Sequence, residues 1–303
     1  MIGNTLYIIG NGFDRFHGLA TSVDDFKRIL STKQIYNEIA SANDVFDSYG
    51  VNWGGFEEDL SYINLDEIEE QHLEFPDYLS DRESDRDGVI LNMEMFLDSL
   101  KNSIDESLKE MVETANKELE TIDKNYLFPI NQNDAIINFN YTSTLEKLYD
   151  LPININVLHI HGKLENGNNL VIGYKDKKYD IKDELPHRDT EFDNEYELYS
   201  KDYYVECQKS SIISFYEKLQ KPFQIDSLKK FLSQLENITK VVVMGHSMSN
   251  VDSEYMETIE ELLKPNQWMI SQFNNDPSES TLSKYSFYSK VELFSLSDLI
   301  YKD

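Results

Sequence analysis

Four short stretches of this chain carry residues that could bind a phosphate or move a proton. In the first, Gly10-Asn11-Gly12-Phe13-Asp14 follows the apolar run Leu6 to Ile9 and precedes Gly18. Glycines at such a corner let the backbone turn sharply and point its N–H groups at an anion by a helix N-terminus. A strand-to-helix turn without any ligand reads the same way, and the spacing is not the GxGxxG of dehydrogenases. In the second, IINFNYTSTLEKLY, a strand ends at Phe139 and a helix begins near Thr142. Asn140 then sits at the carboxyl end of a strand, where open α/β sheets bind ligands. Asn140 or Thr142 would serve equally as a helix cap.

In the third, NVLHIHGKLENGNNLVIG, His159 and His161 alternate across a strand and face opposite sides. His161, before Gly162 at the strand end, is the candidate base near neutral pH. His159 reads as a buried, hydrogen-bonded core residue. A zinc pair is not expected, because residues two apart on a strand diverge and no cysteines complete the shell. The fourth, VVVMGHSMSNVDSEYM, is a strand, a glycine turn and a helix. Gly245-His246-Ser247-Met248-Ser249 approaches the GxSxG nucleophile elbow, with serine for the last glycine. Alternatively Gly245 and Ser247 contact a ribose or phosphate with Asp252 nearby, or the serine only caps a helix. Asp14 and His17 lie one helical turn apart. Asp14 is open to a ribose contact, whereas His17 reads as part of a polar helix start.

Positioning these groups takes a sheet. Short runs rich in β-branched residues read as buried parallel strands: Leu6 to Ile9, Ala135 to Phe139, Val157 to Ile160, Leu170 to Ile172 and Val241 to Met244. Trp268 to Ser271 and Val291 to Leu296 are two more. Helical stretches between them predict a mostly parallel, Rossmann-like α/β sheet in a single domain. Its core draws on 1–30, 131–174 and 238–303. Apolar residues recur every three or four positions from Val89 to Ile122, as in one long amphipathic helix. That helix, with shorter ones at 24–40 and 53–70, forms a helical insertion over 31–130. A second insertion, 175–237, opens as a polar, exposed loop and ends in a helix around Ile225 to Leu235.

Acidic residues outnumber basic ones 56 to 28, for a net charge of −28. Such a field repels nucleic acid and anionic membrane surfaces. The single cysteine, Cys207, excludes an internal disulfide framework and a cysteine-cluster metal site. Without a signal-peptide pattern or a long apolar run, a cytoplasmic location is the expectation.

Taken in order, GNGFDRFHGLATS, WGGFEEDL, NFNYTSTLE, HIHGK and VVMGHSMSNVD resemble the AbiH family of phage abortive infection proteins. More distantly, the chain is similar to the sirtuin-like NAD-binding superfamily. That resemblance implies a sirtuin-like (DHS-like) fold and a site for NAD, as substrate or ligand, with no further cofactor and no metal. It sets Gly10, Asn11, Gly12, Phe13 and Asp14 at the first loop and Gly245, Ser247 and Asp252 at the late turn, toward the adenosine half. Asn140 and His161 match the catalytic asparagine and histidine. Asp14 replaces the usual serine, Ala20 the proline and Thr142 the aspartate. Absent paired cysteines disfavour deacetylation, and the likeness to defence proteins implies hydrolysis of the nicotinamide–ribose bond. It also implies control by a phage-derived trigger or a homo-oligomer. Two other readings are an NAD or ADP-ribose sensor without turnover, and a serine hydrolase using Ser247 with His161 or His246.

Overall fold

The computed structural model describes residues 4–33, 53–122, 126–164, 170–177 and 202–302. The expected exposed loop after residue 177, and residues 34–40 of the expected 24–40 helix, lie outside them. Among the described residues the strands are β1 (Asn4–Ile9), β2 (Tyr126–Leu127), β3 (Ala135–Asn138), β4 (Asn156–His159), β5 (Ile238–Met244), β6 (Gln267–Ser271), β7 (Val291–Phe294) and β8 (Tyr301–Lys302). Six of them form one sheet in the order β4-β3-β1-β5-β6-β7, every pairing parallel, while β2 and β8 pair antiparallel. Counted within the sheet alone, this is the 3-2-1-4-5-6 order of doubly wound Rossmann folds. The chain's direction of winding reverses between β1 and β5, the place where such sheets bind ligands.

Both faces of the sheet are covered, which is why its central strands carry runs of consecutive apolar residues, Leu6–Ile9, Ala135–Ile137 and Val241–Met244, rather than alternating ones. Leu6, Ile8, Ala135, Ile137, Val241, Val243, Trp268 and Ile270 face one core, shared with helices Ile225–Leu232 and Ser253–Leu263. Tyr7, Ile9, Ile136, Val242 and Met244 face the other, with Phe13, Leu19, Leu145 and Leu148.

A third apolar cluster lies wholly outside the sheet. Its spine is the predicted long helix, Glu83–Glu118, whose 36 residues extend about 54 Å. Met93, Leu97, Leu100, Ile104, Leu108 and Met111 form its buried stripe. Against it pack Val23–Leu30, started by a reciprocal Ser22/Asp25 capping box, and the helices Trp53–Asp59 and Leu65–His72. Ala115 and Leu119 at the far end join the sheet core, so one helix ties both layers together.

Two expectations are corrected. Leu170 to Ile172 is not a strand of the sheet, since β4 is its edge. The segment instead runs on to Tyr174, which exchanges backbone hydrogen bonds with Leu219 and Lys221. The second insertion also holds a helix that was not expected, Tyr203–Lys218. It buries Val205, Gln208, Ile212, Phe215 and Tyr216 at helical spacing. Among the described residues no helix is long and apolar enough to cross a membrane.

Candidate functional site

The carboxyl ends of β1 and β5 meet through glycine. Gly12 N donates to Gly245 O at 2.6 Å, and Phe13 N donates to Gly10 O at 2.9 Å. A Cβ on Gly12 would stand 2.7 Å from the Gly245 Cα, and one on Gly10 2.7 Å from the His246 Cα. Gly245, at φ +68°, would bring a Cβ within 2.2 Å of the Phe13 nitrogen. The glycines thus let two turns pack backbone on backbone, and the Gly12 amide is already engaged. Asn11 is engaged too, donating from Nδ2 to the Thr21 carbonyl (2.8 Å) and hydroxyl (2.9 Å). Phe13 is buried, its ring against His17 and Tyr149.

After β3 the residues Phe139 to Thr142 divide between two buried polar groups. Asn140 and Thr142 join the first. Asn140 Nδ2 donates to Gly10 O (3.0 Å), and the Thr142 hydroxyl donates to Asp14 Oδ2 (2.7 Å) while meeting Thr144 at 2.9 Å. Asp14 is 1% exposed, and its Oδ1 has no hydrogen-bond partner. Burial pushes its carboxyl up to about 6, against hydrogen bonds from Thr144, Thr142 and Asn140.

Phe139 and Tyr141 lean on the second group through their ring contacts with His161. At its centre is Asp252, just before the helix Ser253–Leu263. The Lys221 ammonium donates to Asp252 Oδ1 at 3.1 Å and to both Glu57 oxygens at 3.1 Å. His246 Nε2 stands 3.3 Å from Asp252 Oδ2. Met248 N donates to His246 Nδ1 at 3.0 Å, which places the ring proton on Nε2, facing the carboxylate. His161 Nε2 lies 3.6 Å from Asp252 Oδ1, too far for a hydrogen bond, and has no partner.

All five side chains are buried, and their electrostatics follow from that. Burial alone would raise the Asp252 carboxyl, yet Lys221 and the two histidines hold it well below its ordinary value. Burial opposes the charge on Lys221, but Asp252 and Glu57 raise its affinity for the proton. Burial pushes Glu57 up to about 7. His161 is held down at about 4, first by burial and then by the Lys221 ammonium, against the pull of Asp252. At neutral pH it is a neutral imidazole.

The sequence reading missed Glu57 and Lys221. Glu57 had a signal: in the Trp53–Asp59 helix it shares the buried side with Gly54 and Phe56, an odd place for a carboxylate. Gly54 lets that helix dock, since a Cβ there would lie 2.1 Å from Ser249 Oγ. Ser247 lacks the geometry of a nucleophile elbow, because positive φ falls on Gly245 and Met248 rather than on the serine. His159 is not a core residue but a partly exposed partner of Glu146, at 2.9 Å. A cavity of about 600 Å³ lies elsewhere, bounded by Gln272, Ser278, Leu282 and Tyr288, and none of the clustered residues lines it. Among the described residues no group of three or more His, Cys, Asp or Glu is arranged to hold a metal ion.

A family model described as bacteriophage abortive infection AbiH matches residues 6–272, a span that includes every residue of both clusters. No curated protein matches the chain. The chain belongs to the AbiH family, and membership gives it a role in abortive infection, a defence against phage.

Proposed function

We propose that this abortive infection protein takes NAD at the carboxyl edge of its sheet and hydrolyses the nicotinamide–ribose bond. The observation that carries the reading is His161. It is a neutral imidazole with an unpartnered Nε2, beside an ionised aspartate, one residue past the residue that follows β4. That is a group able to accept a proton at neutral pH. The ribose C1′–nitrogen bond breaks, and nicotinamide leaves with the bonding pair through an oxocarbenium-like state. Water adds to C1′ and gives its proton to His161. The products are ADP-ribose, nicotinamide and a proton.

Asn140 orients the ribose. Its Nδ2 is committed to Gly10, so its amide oxygen is the atom that would receive a ribose hydroxyl. Asp14 Oδ1, buried beside it without a donor, would take another. His161, Asn140, Asp14 and Asp252 are each under 10% exposed. A dinucleotide reaches them only when the edge opens, which fits an enzyme held off until a phage-derived trigger or self-assembly releases it.

The test is the NAD pool of cells expressing the protein and challenged with phage, followed by nicotinamide release from NAD by purified protein. Wild type should deplete NAD on infection, and His161→Ala and Asn140→Ala should each remove at least about 99% of the hydrolysis. Depletion that survives both substitutions, or an unchanged pool with wild type, overturns the reading.

A further inference from the structure

Three groups crowd one carboxylate, and their arrangement explains why His161 carries no second proton and stays neutral. Asp252 offers two oxygens. Oδ2 faces the Nε2–H of His246. Oδ1 faces both Lys221 Nζ, at 3.1 Å, and His161 Nε2, at 3.6 Å. The ammonium is the nearer and carries a full charge, so it takes the oxygen and His161 stays outside hydrogen-bond range. We infer that Lys221 is a positioning residue for His161: by occupying Asp252 Oδ1 it keeps the aspartate from drawing a proton onto the imidazole. The inference rests on the proposed role of His161 as the base and extends it to a residue that never meets substrate.

How Lys221 comes to be there supports a dedicated placement. Its side chain is 0% exposed, a position lysine almost never takes unless paired. Its backbone N donates to Tyr174 O at 2.8 Å, and Tyr174 N donates to Leu219 O at 3.1 Å. Gly173 makes that pairing possible, since a Cβ there would stand 2.2 Å from Leu219 O. Glu57 grips the ammonium from the other side with both oxygens. Among the described residues, the other titratable groups whose rings face His161 are Tyr141 and Tyr255. Tyr141 donates to Val171 O and Tyr255 accepts from Gln224 N, and burial keeps both phenols protonated. Neither offers His161 a charge that could replace the lysine.

The geometry sets an outcome that a merely structural lysine would not give. Without the ammonium, Oδ1 becomes the natural acceptor for a protonated His161 Nε2, and Asp252 then stabilises the imidazolium. Removing Lys221 alone would strand two buried carboxylates, so the test uses the double variant Glu57→Gln/Lys221→Met, which removes one negative and one positive charge together. The readout is NMR titration of the six histidines in the full-length chain, with His161→Gln to assign the signal.

In the double variant the His161 midpoint should rise by about two pH units or more. In Glu57→Gln alone, which keeps the lysine, it should not rise. If the protein releases nicotinamide, the acidic limb of kcat should move up by a similar amount with KM unchanged. A His161 midpoint that stays put in a folded double variant overturns the inference, as does an equal rise in Glu57→Gln. A midpoint that moves as expected in a protein that never releases nicotinamide supports the coupling while overturning the hydrolase reading.

Discussion

Two buried aspartates, Asp14 and Asp252, sit at the same edge of the sheet and have opposite electrostatic fates. Asp14 follows β1 and meets only neutral partners, the hydroxyls of Thr142 and Thr144 and the Asn140 amide. Asp252 follows β5 and meets an ammonium and two imidazoles. Burial pushes both carboxyls the same way. Only in the second does a full countercharge reverse it, so Asp14 is raised and Asp252 lowered. At Asp14 neutral hydrogen bonds only soften the cost of burying the carboxylate, whereas at Asp252 a lysine and two histidines together outweigh it, as the lysine alone does not at Glu57. The first aspartate is left with a spare acceptor, suited to a ligand's hydroxyl, and the second is spent on holding its neighbours.

The sharpest way to break this contrast is to remove the charge of Asp252. Asp252→Asn leaves Lys221 with Glu57 alone and should lower unfolding stability by about 3–5 kcal/mol in urea at pH 7. An unchanged urea midpoint would mean that the ion cluster is not coupled to the fold. The opposite sign is expected at the other aspartate. The folded carboxyl of Asp14 titrates near 6, above its ordinary 3.8, so its contribution to stability is present below about pH 4 and is lost as pH rises through 6. Asp14→Asn should therefore stabilise the protein at pH 8, by up to about 3 kcal/mol, with the gain fading as pH falls from about 6 to about 4 and absent below that. Thermal unfolding at the two pH values measures it, and a variant that is less stable at pH 8 refutes the contrast. The smallest effect belongs to Thr142→Val, which deletes one hydroxyl from the Asp14 carboxylate. About 2 kcal/mol should be lost at pH 8, where that bond is charge-assisted, and roughly half as much at pH 4, where it is neutral.

How much of this was legible in the sequence depended on whether the signal was local. Strands β1, β3, β5 and β6 announce themselves as apolar runs, and the residues just past them, Gly10, Asn140 and Gly245, follow at once. His161 was legible because it precedes a glycine at the end of such a run. The stripe from Val89 onward marked the long helix for the same reason. Leu170 to Ile172 has the composition of a strand, but pairing is a matter of neighbours, and its neighbour proved to be the segment at residue 220. Glu57 is one acid among 56, set apart only by its place on the buried side of a helix. Nothing near Lys221 marks it as buried. Its meaning comes from Glu57, 164 positions earlier, and from Asp252, 31 positions later.

Those separations bear on when the cluster can exist during synthesis. Glu57 emerges from the ribosome long before the lysine that neutralises it, and the helix bearing Asp252 comes later still. At about 5–20 residues per second the chain between Glu57 and Asp252 takes roughly 10–40 seconds to make. Before Asp252 emerges, the residues of the long helix and of β1, β3 and β4 have all been made, yet the ion cluster beside His161 lacks its central carboxylate. In this abortive infection protein, the ion cluster waits for the last third of the chain, so the arrangement around His161 is complete only when translation nearly is.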